Sequence, residues 1–322
     1  MMRRRRQAMA WLVTWGYFAA TIGAATEAVV PADSYHQSRV EAWWTGPMMA
    51  NSAAALPQGH YLIEPYLYDV HSSHTDSFGS LTYMEYGITD RLTAGMIPTF
   101  GYTRMVHGSD SAGVGTGDLN LLAQYSLTQF QDGSAMPAMA LMVQETVPTG
   151  RYDQLDHRPA NAHGEGSFTT TVQLNTQTYF WVPNGRILRM RFNIGRSISR
   201  RTRVDNASVY GTPAGFRGYA RPGDSFAVNA AWEYSLTQHW VLAFDLAYRH
   251  ALGTRVDGAI SVAGTSTPLI YRARSSESFG FAPAIEYNWR SNLGVLVGVR
   301  VFTGGHNNPT TVTPAIALNY VH

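Results

Sequence analysis

The feature that most constrains this chain is a period-two alternation of apolar and polar side chains that recurs along most of its length. Between 224 and 236, Phe226, Trp232 and Tyr234 fall on one face of an extended chain, and Asn229 and Glu233 fall on the other. Successive side chains of a strand point to opposite faces, so the pattern predicts a strand between two different environments. About twelve such runs occur, near residues 60–71, 77–88, 91–102, 117–128, 136–147, 167–181, 186–198, 224–236, 240–250, 277–289, 293–303 and 311–322.

The connections between these runs alternate in length. After 88, 181, 236 and 289 the chain turns within about two to five residues, and "PNGR" (183–186) contains the Asn-Gly pair of a tight hairpin. The other connections, most of them long and rich in Gly, Ser, Asp and Arg, are 103–116, 148–166, 199–223, 251–276 and 304–310. Tight turns on one side and long loops on the other are typical of outer-membrane barrels. The sequence therefore predicts an all-β fold, a transmembrane up-and-down antiparallel β-barrel of about 12 strands, with a soluble sandwich as the alternative.

Aromatic residues recur at the ends of the predicted strands. The motifs "MEYGITDRL" (84–92), "AQYSLTQF" (123–130), "WEYSLTQHW" (232–240) and "IEYNWRSNL" (285–293) each place a tyrosine on the apolar face just before a tight turn. Aromatic girdles mark the membrane boundary in barrels of this kind. The residues predicted to form the girdle are Tyr86, Tyr125, Tyr234, Trp240, Tyr287 and Tyr320.

Both ends of the chain indicate export. Residues 1–28 combine "MMRRRRQAMA", an apolar run and small residues, and they predict a cleaved signal peptide; an uncleaved anchor helix is the alternative. The last strand, "PAIALNYVH", resembles the assembly signal of outer-membrane proteins, although His322 replaces the usual final Phe. The predicted location is the bacterial outer membrane, with its lipids and the barrel assembly machinery as partners. Residues 59–322 would form the barrel, and residues 29–58 would lie in the periplasm or fold into the pore.

The polar faces of the strands predict the lumen. Two functions are open for these residues: a polar channel with opposing charge patches, or an ion-paired interior that plugs a narrow barrel. Arg189 and Arg191 lie two apart and are predicted to line one wall, with Asp245 and Glu286 on the opposing wall. The predicted inward residues are Glu64, Glu85, Asp118, Gln124, Arg189, Arg191, Glu233, Asp245, Arg249, Glu286 and Arg300.

Several other functions have little support in the sequence. The net charge of +2 argues against nucleic acid as a partner, and the absence of cysteine excludes thiolate chemistry. "GVGTGD" (113–118) opens a strand, whereas a phosphate-binding loop opens a helix. His71 and His74 lack a third metal ligand, so no metal or cofactor is predicted. The basic run "RSISRRTR" (196–203) is either a solvated loop or a contact for anionic lipid head groups.

Three stretches carry a family resemblance. "ALPQGHYLIEPYLYDV" (55–70), "GVGTGDLNLLAQYSL" (113–127) and "VPTGRYD" (147–153) resemble the outer-membrane transporter family named for the MetA-type phenol-degradation pathway, over roughly residues 45–322. The resemblance implies a barrel that transports small molecules, hydrophobic or aromatic compounds among them. It supplies no catalytic residue, and we predict a channel that is not an enzyme. The alternatives are a barrel enzyme acting on lipid and a structural or adhesive barrel.

Overall fold

A computed structural model describes residues 36–322 except 156, 157 and 263. The predicted signal peptide, residues 1–28, lies outside the described residues. The described helices are two short 3-10 turns, Arg39–Glu41 and Pro159–Asn161. Within the described residues, no helix has the length and apolar character needed to cross a membrane.

Nearly all the regular structure is antiparallel sheet. The strands are β1 (Tyr61–His71), β2 (Thr75–Thr89), β3 (Leu92–Ile97), β4 (Thr99–Met105), β5 (Gly115–Thr116), β6 (Leu119–Thr128), β7 (Ala138–Val147), β8 (Thr169–Trp181), β9 (Ile187–Ser199), β10 (Thr202–Asp205), β11 (Phe216–Arg221), β12 (Ser225–Ser235), β13 (Trp240–Ala251), β14 (Arg255–Val262), β15 (Thr265–Arg272), β16 (Ser276–Arg290), β17 (Leu293–His306) and β18 (Thr311–Val321).

The barrel closes because β1 pairs on one side with β2 and on the other with β18, the last strand. Strands β3 and β4 act as one barrel strand that is interrupted at Pro98, since proline has no N–H to donate to a ladder. Strands β5 and β6 likewise act as one barrel strand, since β5 pairs with β4 and β6 pairs with β3. Counted this way, twelve antiparallel strands form the wall. The predicted fold class and strand number are confirmed.

The alternation read in the sequence becomes an outer and an inner face. On β13, Leu242 and Phe244 are 46% and 41% exposed, whereas Val241 and Asp245 are fully buried. An apolar face on the outside of a barrel matches the hydrocarbon of a bilayer, and the polar face is left for the interior.

Two of the predicted long loops fold instead as a second sheet. The segments predicted as connections 199–223 and 251–276 contain β10, β11, β14 and β15, which pair in the order β10-β11-β14-β15. This outer sheet continues the register of the barrel. In the barrel, β12 and β13 pair Ser225 with Ala251. Four residues further from the barrel on both strands, β11 and β14 pair Arg221 with Arg255. The sequence predicts these segments only as long connections, and they form strands because the barrel ladders extend past the rim. The outer sheet has its own core, formed by Val204, Phe216, Ala220 and Val256.

The connection predicted at 304–310 is also shorter than expected. Strand β17 continues to His306, so only four residues, 307–310, separate β17 from β18. Asn307 takes a φ of +53° at the start of this turn, and Gly304 and Gly305 just before it take +70° and +76°.

The chain before β1 forms an arch on the inner side of the barrel, which we define as residues 36–58. At its start Gln37 N–H donates to the Gly185 carbonyl at 2.8 Å, beside the β8–β9 turn. At its end Gln58 N–H donates to the Asp90 carboxylate at 3.0 Å, in the β2–β3 turn. Between these two turns its middle reaches Asp245, halfway along β13.

Candidate functional site

The arch is held at its middle by one carboxylate. Asp245 accepts the N–H groups of three consecutive residues, Met48 at 3.0 Å, Met49 at 3.2 Å and Ala50 at 3.0 Å. The side chain of Asp245 is fully buried. A buried carboxylate that accepts several backbone N–H groups is stabilised in its charged form, so these bonds offset the cost of removing it from water.

A second carboxylate holds the arch nearer the tight turns. Glu286 accepts the N–H groups of Thr45 at 2.6 Å and Gly46 at 3.2 Å. Gly46 has a φ of +126°, a conformation that L side chains rarely adopt, which explains the glycine at this point. Asn288, on the same strand, accepts from the Thr45 hydroxyl at 3.0 Å and donates to the Trp43 carbonyl at 3.2 Å.

The two inward arginines of β9 share one acidic partner. Arg189 donates from Nε to Glu233 at 2.7 Å and also from a terminal nitrogen, and Arg191 Nε lies 3.1 Å from the same carboxylate. Glu233 is fully buried, and both arginines are nearly so. The Arg189 guanidinium also lies over the Trp44 ring, 4.4 Å from its centroid, and Arg191 donates to the Ala50 carbonyl at 3.0 Å.

These charges occupy one wall of the lumen. Arg189 pairs in register with Glu233, Arg191 with Ala231, and Ala231 with Asp245, on the adjacent strands β9, β12 and β13. Glu286 follows on β16, which is the next strand round the barrel. The prediction that Asp245 and Glu286 line the wall opposite Arg189 and Arg191 is wrong, because the strand order brings all four to neighbouring strands.

Acidic residues do face this wall across a cavity. A cavity of about 270 Å³ lies between the arch and the barrel, and its lining includes Glu64 on β1 and Glu85 on β2, together with Arg189 and Arg191. Gln124 on β6 also lines it and donates to the Ala54 carbonyl at 3.2 Å. The cavity therefore carries opposite charges on facing strands of the barrel.

A larger vestibule of about 930 Å³ lies towards the long loops. Asp118 lines it, and its carboxylate accepts the N–H groups of Gly150 at 2.9 Å and Glu165 at 2.8 Å, so it ties two loop segments together. The other predicted inward basic residues lie on β13 and β17. Arg249 packs over the Phe302 ring at 4.1 Å, and Arg300 pairs in register with the buried Thr313.

The "GVGTGD" stretch makes room for an imidazole. The His163 ring lies so close to Gly101 and Gly115 that a Cβ on Gly115 would stand 2.1 Å from a ring carbon. His163 Nε2 is buried and, among the described residues, has no hydrogen-bond partner. Burial lowers the pKa of His163 below its ordinary value. The glycines thus serve close packing between a loop and the wall.

The predicted girdle residues lie on the outer face near the tight turns. Tyr86 and Tyr125 are 52% and 47% exposed. Trp240 and Tyr287 are cross-strand neighbours with ring centroids 4.6 Å apart. Tyr234 accepts from Asn184 in the β8–β9 turn at 2.8 Å, and Tyr320 lies 6.1 Å from the Tyr61 ring. Their role at the membrane boundary stays a prediction.

One serine–histidine pair in the described residues bears on the enzyme alternative. Ser73 Oγ lies 2.6 Å from His74 Nδ1 in the exposed β1–β2 connection. A serine nucleophile needs a histidine base that a third group orients. Among the described residues His74 has no carboxylate partner, and no group of three His, Cys, Asp or Glu side chains could hold a metal.

Sequence reasoning missed the backbone of the arch. The groups that meet the lumen carboxylates are main-chain amides of "TGPMMA" (45–50), and amides carry no sequence signature. It also missed Gln37, which is 1% exposed and donates to Ser235 Oγ at 2.9 Å.

Comparison with a solved outer membrane channel supports the barrel fold. An outer membrane channel from Pseudomonas putida F1 has a TM-score of 0.64 and 16% identity, over 85% of this chain and 100% of that one. The Pseudomonas putida toluene transporter TodX has a TM-score of 0.41 and 10% identity, over 89% and 98%. The translocator domain of the autotransporter NalP from Neisseria meningitidis has 0.41 and 11%, over 81% and 87%.

No curated protein sequence matches this one. One family model, described as "Putative MetA-pathway of phenol degradation", matches residues 50–311. The match spans the arch from Ala50, the whole vestibule lining and every barrel strand to the start of β18. By this match over most of its length, the chain belongs to the family of that phenol-degradation description.

Proposed function

We propose that the barrel is an outer-membrane channel for small molecules, and that solutes pass beside the arch through the charged cavity. The observation that carries the proposal is the 270 Å³ cavity itself, which runs along the arch between the acids Glu64 and Glu85 and the arginines of β9. A second space, the vestibule of about 930 Å³, lies towards the long loops.

The arch is the constriction of this channel. It is fixed mainly by hydrogen bonds from its backbone to side chains of the wall, such as those to Asp245 and Glu286. Contacts of this kind hold a segment in place without burying a large apolar surface on it, so a partial displacement of the arch is compatible with an intact barrel.

The family description supports aromatic compounds of the phenol type as solutes. The vestibule lining is compatible with them, because the aromatic residues Tyr68 and Tyr210 line it beside the polar residues Thr103 and Asn120. Mixed aromatic and polar linings are typical of sites for small amphipathic molecules.

The test is single-channel recording of the purified protein in a planar bilayer, with a salt gradient to measure ion selectivity. In the double variant Glu64→Gln with Glu85→Gln two negative charges leave the cavity lining while Arg189 and Arg191 remain. Because fixed charges at a narrow passage set its ion preference, the cation-to-anion permeability ratio should fall. The matched control is Asp257→Asn, which removes an exposed charge from the outer sheet.

Uptake of phenol into proteoliposomes is the second measurement, and wild-type protein should raise the rate above that of empty liposomes. A barrel that shows neither conductance nor uptake, even without residues 36–58, would not be a channel. A lipid-hydrolysis assay on the same samples tests the remaining alternative. Activity that disappears with His74→Ala would identify an enzyme built on the Ser73–His74 pair instead.

A further inference from the structure

The outer sheet carries a row of arginines that the channel does not use. Arg221 on β11 pairs in register with Arg255 on β14, and Arg255 pairs with Arg272 on β15. Residues paired across neighbouring strands share one face of the sheet and stand about 5 Å apart. Three like charges in direct register oppose sheet formation unless something compensates them.

Little within the protein compensates this row. Arg255 lies 3.4 Å from Asp257 on its own strand. In the part of the chain that the structure describes, the side chains of Arg221 and Arg272 have no ion pair or hydrogen bond. All three arginine side chains are exposed. The same face also bears Arg201, Arg203 and Arg217, against the carboxylates of Asp205 and Asp257, which leaves it with a net charge of +4.

The opposite face of the outer sheet is occupied. Val204, Phe216, Ala220 and Val256 pack there with Tyr152, Tyr210 and Tyr271 from the sheet and the neighbouring loops. The arginine face is consequently the free one. All 24 basic residues of the chain are arginines, the side chain whose planar fork matches two oxygens of a phosphate.

The height of the row above the barrel indicates the partner. Arg221, Arg255 and Arg272 each lie four residues beyond the barrel strand that continues their own, from Ser225, Ala251 and Ser276. Four extended residues span at most about 13 Å, and the tilt of barrel strands makes the rise in height smaller. Head groups extend roughly 5–8 Å beyond the hydrocarbon on each side, so long arginine side chains from this row reach them.

We propose that Arg221, Arg255 and Arg272 form a binding site for the phosphate groups of outer-leaflet lipid. The phosphates supply the negative charge that the row lacks, and they hold the outer sheet against the membrane surface. Free phosphate has the same chemistry, but it lacks the acyl chains that would keep it at this height, so lipid is the partner to which the placement points.

The test uses full-length protein in detergent, titrated with bisphosphorylated lipid A and followed by native mass spectrometry. Wild-type protein should bind it, and the variant with Arg221→Gln, Arg255→Gln and Arg272→Gln should bind at least about tenfold more weakly, since each arginine near an anionic lipid surface contributes roughly fivefold. Lipid A without phosphates should bind both proteins equally weakly. The control, Arg91→Gln with Arg290→Gln, removes exposed arginines from the β2–β3 turn and from the last position of β16, at the other end of the barrel, and should bind like wild type.

Equal binding by the triple variant and wild type would overturn the proposal. Displacement of the lipid by inorganic phosphate at equal concentration would show a site for a soluble anion, and would overturn it as well. If the triple variant does not fold, as judged by the heat-dependent mobility of a folded barrel on gels, Arg221→Gln and Arg272→Gln are measured singly. These two side chains have no partner to lose, so each should fold and bind about fivefold more weakly.

Discussion

The backbone N–H of Thr45 lies 2.6 Å from the carboxylate of Glu286, although 241 residues separate the two in sequence. With the bonds to Asp245, this contact makes the arch depend on two acids of the wall. Both acids accept hydrogen bonds from backbone N–H groups of the arch. Replacing either acid by its amide would remove the negative charge from the acceptor. It would also place the NH2 group of the new side chain against backbone N–H donors.

The variant Asp245→Asn should loosen the arch and leave the barrel closed. Hydrogen bonds to a charged acceptor contribute about 1.5–3 kcal/mol each, so part of three such bonds is lost. Since the chain has no cysteine, a single cysteine introduced at Met49 reports on the arch without background. Its labelling by a membrane-impermeant thiol reagent should become faster in Asp245→Asn than in the parent.

The control for this experiment is Asp224→Asn, which makes the same change at the Arg196 ion pair, where the arginine side chain is 66% exposed. Labelling at Met49 should be unaffected there. An arch equally protected in Asp245→Asn would show that the carboxylate charge has no part in holding it.

The variant Glu233→Gln should be among the most destabilising single changes in the barrel. It leaves Arg189 and Arg191 buried beside each other without their shared counter-charge, and breaking a buried ion pair costs about 3–5 kcal/mol. Urea unfolding in lipid, followed by tryptophan fluorescence, measures the loss. The exchanged pair, Arg189→Glu with Glu233→Arg, should recover part of the lost free energy of unfolding. Little loss in either protein would show that the ion pair does not stabilise the barrel.

The barrel could be predicted because each strand carries its own evidence. The alternation around Phe226 and Trp232, or along β13, depends only on neighbouring residues and the environment on either side. The outer sheet was missed because its inner face contains Gly218 and Gly258 between the apolar residues, and because one face carries arginines that suggest a loop. Its pairing follows from the barrel register, which no local pattern reveals.

The candidate site was predictable in part for the same reason. The inward direction of Arg189, Glu233 and Asp245 follows from strand parity alone. Which of them meet depends on strand order round the barrel, and β13 neighbours β16 only because β14 and β15 leave the wall for the outer sheet. The arch contributes peptide groups, and the sequence does not distinguish one peptide group from another.

The variant Phe244→Arg tests the assignment of faces. Phe244 is 41% exposed on the outer face, about mid-strand, and an arginine at the membrane midplane should lower the free energy of unfolding by about 2–4 kcal/mol. Phe244→Leu keeps the position apolar and should cost far less. Ala243→Arg is expected to be costly as well, since Ala243 is 5% exposed and pairs in register with Glu233, so a large side chain there would overfill the lumen.

Acid should weaken the contact of His163 with the wall. Burial lowers the pKa of His163, so the folded protein binds its proton less tightly than the unfolded chain does. The stabilisation is present at neutral pH and is lost as the pH falls through about 6.5, the value of a free histidine. The protection factors of residues 158–168 in hydrogen exchange should therefore fall between pH 7 and 5.5 in wild type, although the intrinsic exchange rate itself slows in acid. His163→Gln should flatten this dependence, and a wild-type protein with the same dependence as the variant would contradict the assignment.

The tight turns should face the periplasm and the outer sheet the cell exterior. Gln238 lies in the β12–β13 turn, and Gly211 lies in the exposed connection between β10 and β11 with a φ of +82°. Long loops and their extensions face outwards in outer-membrane barrels, so a cysteine at Gly211 should react in intact cells with an impermeant reagent. The positive φ of Gly211 makes a cysteine there locally strained. A cysteine at the nearby exposed Pro213 therefore serves as a second probe of the same connection. A cysteine at Gln238 should react only after the outer membrane is permeabilised. Reaction at Gln238 in intact cells, with protection at both outer positions, would mean that the barrel crosses the membrane in the opposite orientation.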